Sequence, residues 1–319
     1  VPILFVIGIY VWTDPFKTIY KYDTYLSDIV MLSRGYISTE VFLKHNPEYD
    51  FNSFIFGSSR SCAFTSKEWS NYLSKDCSAF SYGAWNESIE GICRKIEFID
   101  AEGNKLKNAL IVLDTDLTFQ KENSSLKNDH YLISGKSFIQ YQMKCFSGYL
   151  KEFWLVPASI DYKLFKTQRF YMKGFVGMKT TEINPVNNDF GPNSEDVILK
   201  DSTAYYSGSL NKFYPRSKTY QEYGVQIRTA DSLMMQKVNL IFKKHKTNVL
   251  IIIGPLYDQK KFNRKDMLVL QHIFGKENIF DFSGINSITD NMYSYAYDAI
   301  HYRKRTGARI LKSIYTLRD

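Results

Sequence analysis

Short apolar runs that stop at Gly or Asp punctuate the chain, and amphipathic stretches separate them. The run at about 51–56 ends in Phe54-Ile55-Phe56 before Gly57. "CSAFSY" at 77–82 stops at Gly83, and "NALIVL" at 108–113 stops at Asp114. "NVLIIIGP" at 248–255 is the most strand-like run, and "NIFDFS" at 278–283 is a fifth. Continuous apolar runs of this length predict strands buried on both faces. Between them the period changes. "TSKE" at 65–68 is a capping-box pattern that opens a helix to about Leu73. Ile89, Ile92, Cys93, Ile96 and Ile99 give 87–100 one helical face. Met234, Val238, Ile241 and Phe242 do the same for 229–245, and 264–275 reads as helical. Ile310, Leu311, Ile314 and Leu317 line a terminal helix over 303–317.

Strands alternating with helices predict right-handed crossovers and a parallel sheet. The expected fold is α/β: a three-layer, doubly wound, flavodoxin-like sheet of about five strands. The alternation breaks over 115–222, which is polar, aromatic and irregular, as in "INPVNNDFGPNS" at 183–194. This stretch reads as a long insertion between the third and fourth strands, with helices of its own. Residues 51–319 then form the domain, and 21–50 a connecting region with a short helix or two.

The first twelve residues, "VPILFVIGIYVW", carry no charge. A spanning helix needs roughly 20 apolar residues, so this run alone is too short. We read residues 1–20 as the visible end of a longer apolar anchor, with Tyr10 and Trp12 at the membrane interface. The domain is then expected outside the cytoplasm, in the cell envelope. Lys17 and Lys21 are offset by Asp14 and Asp23, so the flanking charges do not orient the segment.

Net charge is +8, but the basic clusters at 243–246 and 303–305 are short and sit at expected helix ends, where cations complement the helix dipole. With no zinc-finger spacing and no RNP-like motif, no nucleic-acid partner is expected. The four cysteines form no CxxC pair, so neither a metal site nor a cofactor is expected.

Candidate chemistry begins at "FGSSRS", 56–61, which follows the first strand. A nucleophilic serine needs a base and a group that orients the base. Of the five histidines, His301 stands just before the last helix with Asp298 three residues earlier, in "YDAIHYRKRTG". That spacing lets a carboxylate meet Nδ1 while Nε2 faces away. An Asp capping its own helix start beside a solvated His gives the same spacing. Position separates the two, because sites in doubly wound sheets form at the carboxyl ends of strands, where Gly57-Ser58-Ser59 lies.

A Gly-x-Ser turn after strand one, a Gly after strand two and D-x-x-H before the last helix resemble the SGNH/GDSL hydrolase superfamily, over roughly 50–115 and 225–317. "GSSR", the apolar N-terminus and the insertion look most like its envelope-associated members, the DltD-like and AlgJ/AlgX-like groups. The resemblance implies Ser59 as nucleophile, His301 as general base and Asp298 as its orienter. It implies the N–H groups of Ser59 and Gly83 as oxyanion donors. Arg60 either binds an anionic substrate group or forms a surface ion pair.

One position departs from the family pattern. Where the third block places an oxyanion-hole Asn, this chain has "LDTDL", with Asp116 at the Asn place and Asp114 nearby. A carboxylate there repels an oxyanion unless it is protonated, points away, or is replaced in function by Asn86 of "GAWNES". The resemblance implies a membrane-anchored serine esterase or O-acyltransferase. Its substrate is an acylated envelope glycan or other acyl ester, with a membrane-bound acyl-donor protein as a candidate partner. The alternative is a non-catalytic polysaccharide-binding protein of the same fold. The separation of Ser59 Oγ from His301 Nε2 discriminates between them, a value near 3 Å favouring catalysis.

Overall fold

The structure, a computed structural model, describes residues 2–25, 29–120, 129–175, 181–192, 194–208 and 210–318. Seven strands occur among them: β1 Ser53–Phe56, β2 Ala79–Ser81, β3 Asn108–Leu113, β4 Thr181–Ile183, β5 Phe190–Pro192, β6 Asn248–Ile253 and β7 Ile279–Asp281. The helices before and between the first strands are α1 Pro2–Thr13, α2 Arg34–Tyr49, α3 Ser66–Ser70 and α4 Ile89–Ala101. The insertion contributes α5 Tyr131–Ser134, α6 Phe138–Lys151, α7 Leu155–Phe165, α8 Ser194–Lys200 and α9 Ser202–Ser207. The remainder are α10 Thr229–His245, α11 Arg264–Phe274 and α12 Lys304–Arg318.

Five strands make one sheet in the order β2-β1-β3-β6-β7, every neighbouring pair parallel. The fold is therefore the expected α/β three-layer arrangement. Because side chains alternate along a strand, each central strand feeds two cores. Phe54, Phe56, Ile111, Ile251 and Ile253 face α2, α4, α10 and α11, whereas Ile55, Leu110, Val112, Leu250 and Ile252 face α3 and α12. Parts of the insertion, 121–128, 176–180, 193 and 209, lie outside the described residues. Its hairpin β4–β5 is antiparallel, and the loop within it covers the free edge of β2, where Ser81 N–H donates to Asn187 O at 2.9 Å.

Two elements differ from their sequence reading. The capped helix at 65 is a single short one, Ser66–Ser70, although Thr65 does accept from Glu68 N–H at 3.1 Å. Residues 21–50, read as a connector, hold the sixteen-residue α2, whose Val41 and Phe42 enter the main core. Polar side chains hid this helix, since Ser38, Thr39 and Glu40 are all buried on it. Glu40 is held by His130 Nε2 at 2.9 Å and by Tyr25 Oη at 3.1 Å, with Lys21 closing the cluster.

Burial pushes the Glu40 carboxyl up, but His130 and Lys21 outweigh it and bring it from 4.5 down to about 2. A carboxyl depressed in the folded state stabilises fully above its ordinary value and loses that contribution as pH falls towards the depressed one. Acid titration should therefore weaken the protein between pH 4.5 and about 2. Glu40→Gln should flatten that interval in denaturant midpoints measured across it. An unchanged slope would mean that other carboxyls set the acid limit.

Three features bring the two ends of the chain together at the carboxyl edge of the sheet. Gly57 leaves β1 at φ 148°, a conformation side chains resist. Its backbone turns at once into a 3-10 helix, Ser59–Ala63. α12 then packs on that turn so closely that a Cβ at Gly307 would lie 2.1 Å from Ala63 O. The loop entering α12 is closed by Ala296 N–H donating to His301 O at 2.7 Å and Arg303 N–H to Ser294 O at 2.9 Å. That loop carries Asp298 and His301.

Candidate active site

Ser59 is the first residue of the 3-10 turn, so its N–H lies among the donors that helical bonding leaves over. Its Oγ is 2.9 Å from His301 Nε2. On the other side of the imidazole, Nδ1 lies 3.0 and 3.1 Å from the two oxygens of Asp298. An ionised carboxylate only accepts, so Nδ1 carries the proton and Nε2 is free to accept from the Ser59 hydroxyl. Asp298 also accepts from the backbone N–H of Ile300 at 2.9 Å and of His301 at 2.8 Å. It thus caps its own turn and orients the ring with the same carboxylate. Burial raises this carboxyl, but the imidazole and those two N–H groups outweigh it and hold it below its ordinary value. Tyr297 stacks on the imidazole at 5.1 Å between ring centroids.

Gly83 follows β2, beside the serine turn. Its neighbours fix the contact: Tyr82 N–H donates to Ile55 O at 2.8 Å and Ala84 N–H to Gly57 O at 3.1 Å. The N–H groups of Ser59 and Gly83 donate to nothing among the described residues. Beneath them, Lys95 of α4 is fully buried with Glu87, and its Nζ donates to Tyr82 O at 3.2 Å. The Tyr82 carbonyl and the Gly83 N–H belong to one planar trans peptide and point opposite ways. Lys95 therefore aims the Gly83 N–H away from α4. Asn86 sits in an exposed turn with φ 51°. It makes no hydrogen bond among the described residues, and nothing ties its side chain to Ser59 or His301.

Arg60 is neither a surface residue nor an open anion receptor. Its side chain is only 4% exposed. Nη2 donates to Asp116 at 2.8 Å, Nη1 pairs with both Asp116 and Asp114, and Nε donates to Ile300 O at 3.0 Å. One guanidinium so joins the nucleophile turn, the loop after β3 and the loop of the base. Burial works against its charge, but Asp114 and Asp116 outweigh burial and raise its pKa. Asp116, the departure from the family pattern, is thereby paired and turned onto Arg60.

Sequence reasoning named Asp114 but gave it no role. It is buried, accepts from Ser58 Oγ and flanks Arg60. Burial pushes its carboxyl up while Arg60 pulls it down, with the net shift upward. A signal for it existed, since it ends the apolar run of β3 at the carboxyl edge, where sites form. Lys95 carried no such signal, because a lysine within an amphipathic helix reads as solvated.

Among the described residues no group of three His, Cys, Asp or Glu side chains is arranged to hold a metal ion, and all four cysteines are free. No family model matches the chain, and no curated protein matches it.

Proposed function

We propose that the protein is an SGNH-type serine esterase or O-acyltransferase, attached to the membrane through its N-terminal segment. Its substrate would be an acylated cell-envelope glycan or a related acyl ester, with a membrane-bound acyl-donor protein as a candidate partner. The observation that carries the reading is the 2.9 Å approach of Ser59 Oγ to His301 Nε2, two side chains 242 positions apart. A binding module has no need of that bond.

In this mechanism Ser59 Oγ attacks the acyl carbonyl carbon as its proton passes to His301 Nε2. Asp298 stabilises the imidazolium through Nδ1–H. The carbonyl oxygen, now negative, is met by the N–H groups of Ser59 and Gly83. Collapse breaks the bond to the leaving oxygen, which takes the proton from Nε2 and departs as an alcohol. Water or a sugar hydroxyl then gives its proton to Nε2, attacks the acyl-serine and regenerates the Ser59 hydroxyl. No cofactor enters these steps.

A fluorophosphonate should label the protein, with the adduct on the peptide that contains Ser59 by mass spectrometry. Absence of labelling in the folded wild-type chain would overturn the reading. Asp298→Asn should slow labelling by about 10³–10⁴-fold, because an amide no longer selects the Nδ1–H tautomer. The measurement is the second-order rate constant across pH, and a loss below tenfold would remove Asp298 from the mechanism.

A further inference from the structure

α1 is docked by one side only. Tyr10 packs on Phe146 and Tyr149 of α6 at 5.3 Å each, and its hydroxyl donates to Gln142 at 2.7 Å. Leu4, Phe5, Val11 and Trp12 turn outward and are exposed, Phe5 at 71%. α1 also lies against α7, whose last turn exposes Leu164 and Phe165. Where α1 ends beside α7 there is a cavity of about 260 Å³. Thr13 and Asp14 from the end of α1, Lys17, and Ser159, Lys163 and Lys166 from α7 and its cap contribute to its wall.

Three lysines stand in the wall of this cavity, and two carboxylates close to it in the chain are engaged elsewhere. Asp14 is buried and spent on its own loop, accepting from the N–H groups of Thr18, Ile19 and Tyr20 and from Tyr22 Oη, at 2.9–3.0 Å. Asp161 is taken by Arg169 at 3.3 Å and by Tyr171 Oη at 2.7 Å. Lys17 donates to Thr24 O at 3.0 Å. Lys163 and Lys166 make no ion pair among the described residues. Two unneutralised ammonium groups thus stand on either side of the exposed pair Leu164-Phe165, with Trp12 next to the cavity's Thr13.

Apolar side chains beside a basic pocket, with a tryptophan between, match the layering of a lipid leaflet: acyl boundary, interface and anionic headgroup. We propose that α1 and the end of α7 rest together on an anionic bilayer, with Lys163 and Lys166 receiving a lipid headgroup phosphate. The insertion thereby becomes a second membrane contact that fixes the tilt of the domain, beyond tethering by α1. The inference does not depend on the reaction at Ser59.

The test is flotation of the full chain with phosphatidylcholine vesicles, with and without phosphatidylglycerol. The wild type should bind both and favour the anionic vesicles, with a preference that falls as salt rises. Each lysine near an anionic surface is worth about fivefold in binding, so Lys163→Glu with Lys166→Glu should cost the anionic vesicles at least about 30-fold. Binding to phosphatidylcholine alone should persist, as should fluorophosphonate labelling. Leu164→Ser with Phe165→Ser should weaken binding to both vesicles. Equal binding of the wild type to the two vesicles, or a full anionic preference in the double glutamate variant, would overturn the proposal. So would self-association of the chain in place of vesicle binding, which would assign the face to a second copy.

Discussion

Ser59→Ala should abolish fluorophosphonate labelling and lower hydrolysis of an activated acyl ester by about 10³–10⁶-fold, with little loss of stability. The argument rests on how the neighbouring hydroxyls are engaged. "FGSSRS" offers three serines, and composition does not choose among them. Ser58 Oγ is buried and committed to Asp114, while it also accepts from Arg60 N–H at 3.2 Å. Ser61 Oγ donates to Ser58 O at 2.7 Å. Only Ser59 Oγ is directed at an imidazole, and it is partly exposed. The substitution removes that one bond and leaves the turn, Arg60 and the base loop in place. Ser58→Ala serves as the contrast: it should destabilise the turn by removing the hydroxyl that donates to buried Asp114 yet leave residual labelling on Ser59. Labelling that survives in Ser59→Ala and disappears in Ser58→Ala would reverse the assignment.

The sheet was legible because its central strands are buried on both faces, and such strands must be continuously apolar. "NALIVL" and "NVLIIIGP" lie side by side as β3 and β6 for that reason. The pair Asp298 and His301 was legible because both groups sit in one loop, three residues apart. Their meeting with Ser59 followed from topology, since β1 and the last loop open on the same edge. What escaped notice was polar and buried. α2 has a core face lined partly by Ser38, Thr39 and Glu40, so its apolar period is weak. Arg60, Asp114 and Asp116 become a unit only when the loops after β1 and β3 are adjacent. Charged residues look solvated in a sequence, because the partner that makes burial tolerable is elsewhere in the chain. Arg60 shows the consequence: a cation beside a nucleophile suggests a substrate anion, but its partners are this protein's own carboxylates.

The buried pair Lys95–Glu87 should be the most sensitive point away from the reacting atoms. Both side chains are 0% exposed. Lys95→Met removes the buried ammonium that faces Glu87, and removing one member of such a pair costs about 3–5 kcal/mol. With that cation gone, the buried Glu87 carboxyl should hold its proton more tightly in the folded than in the unfolded state. Stability of the variant should accordingly fall as pH rises above the ordinary carboxyl value, the reverse of the Glu40 effect. A second consequence follows from the bond of Lys95 to Tyr82 O. Without it the Tyr82–Gly83 peptide is held only through its neighbours' N–H bonds and the aim of the Gly83 N–H loosens; an oxyanion donor is worth about 2.7–4 kcal/mol in the barrier. Packing and positioning separate in the double variant Glu87→Leu with Lys95→Met. An apolar replacement of a buried ion pair is often neutral for stability, so denaturant midpoints should recover. The ester-hydrolysis kcat should not, because the Tyr82 carbonyl still lacks its ammonium donor, while KM stays near the wild-type value. Recovery of kcat together with stability would show that Lys95 serves the core alone.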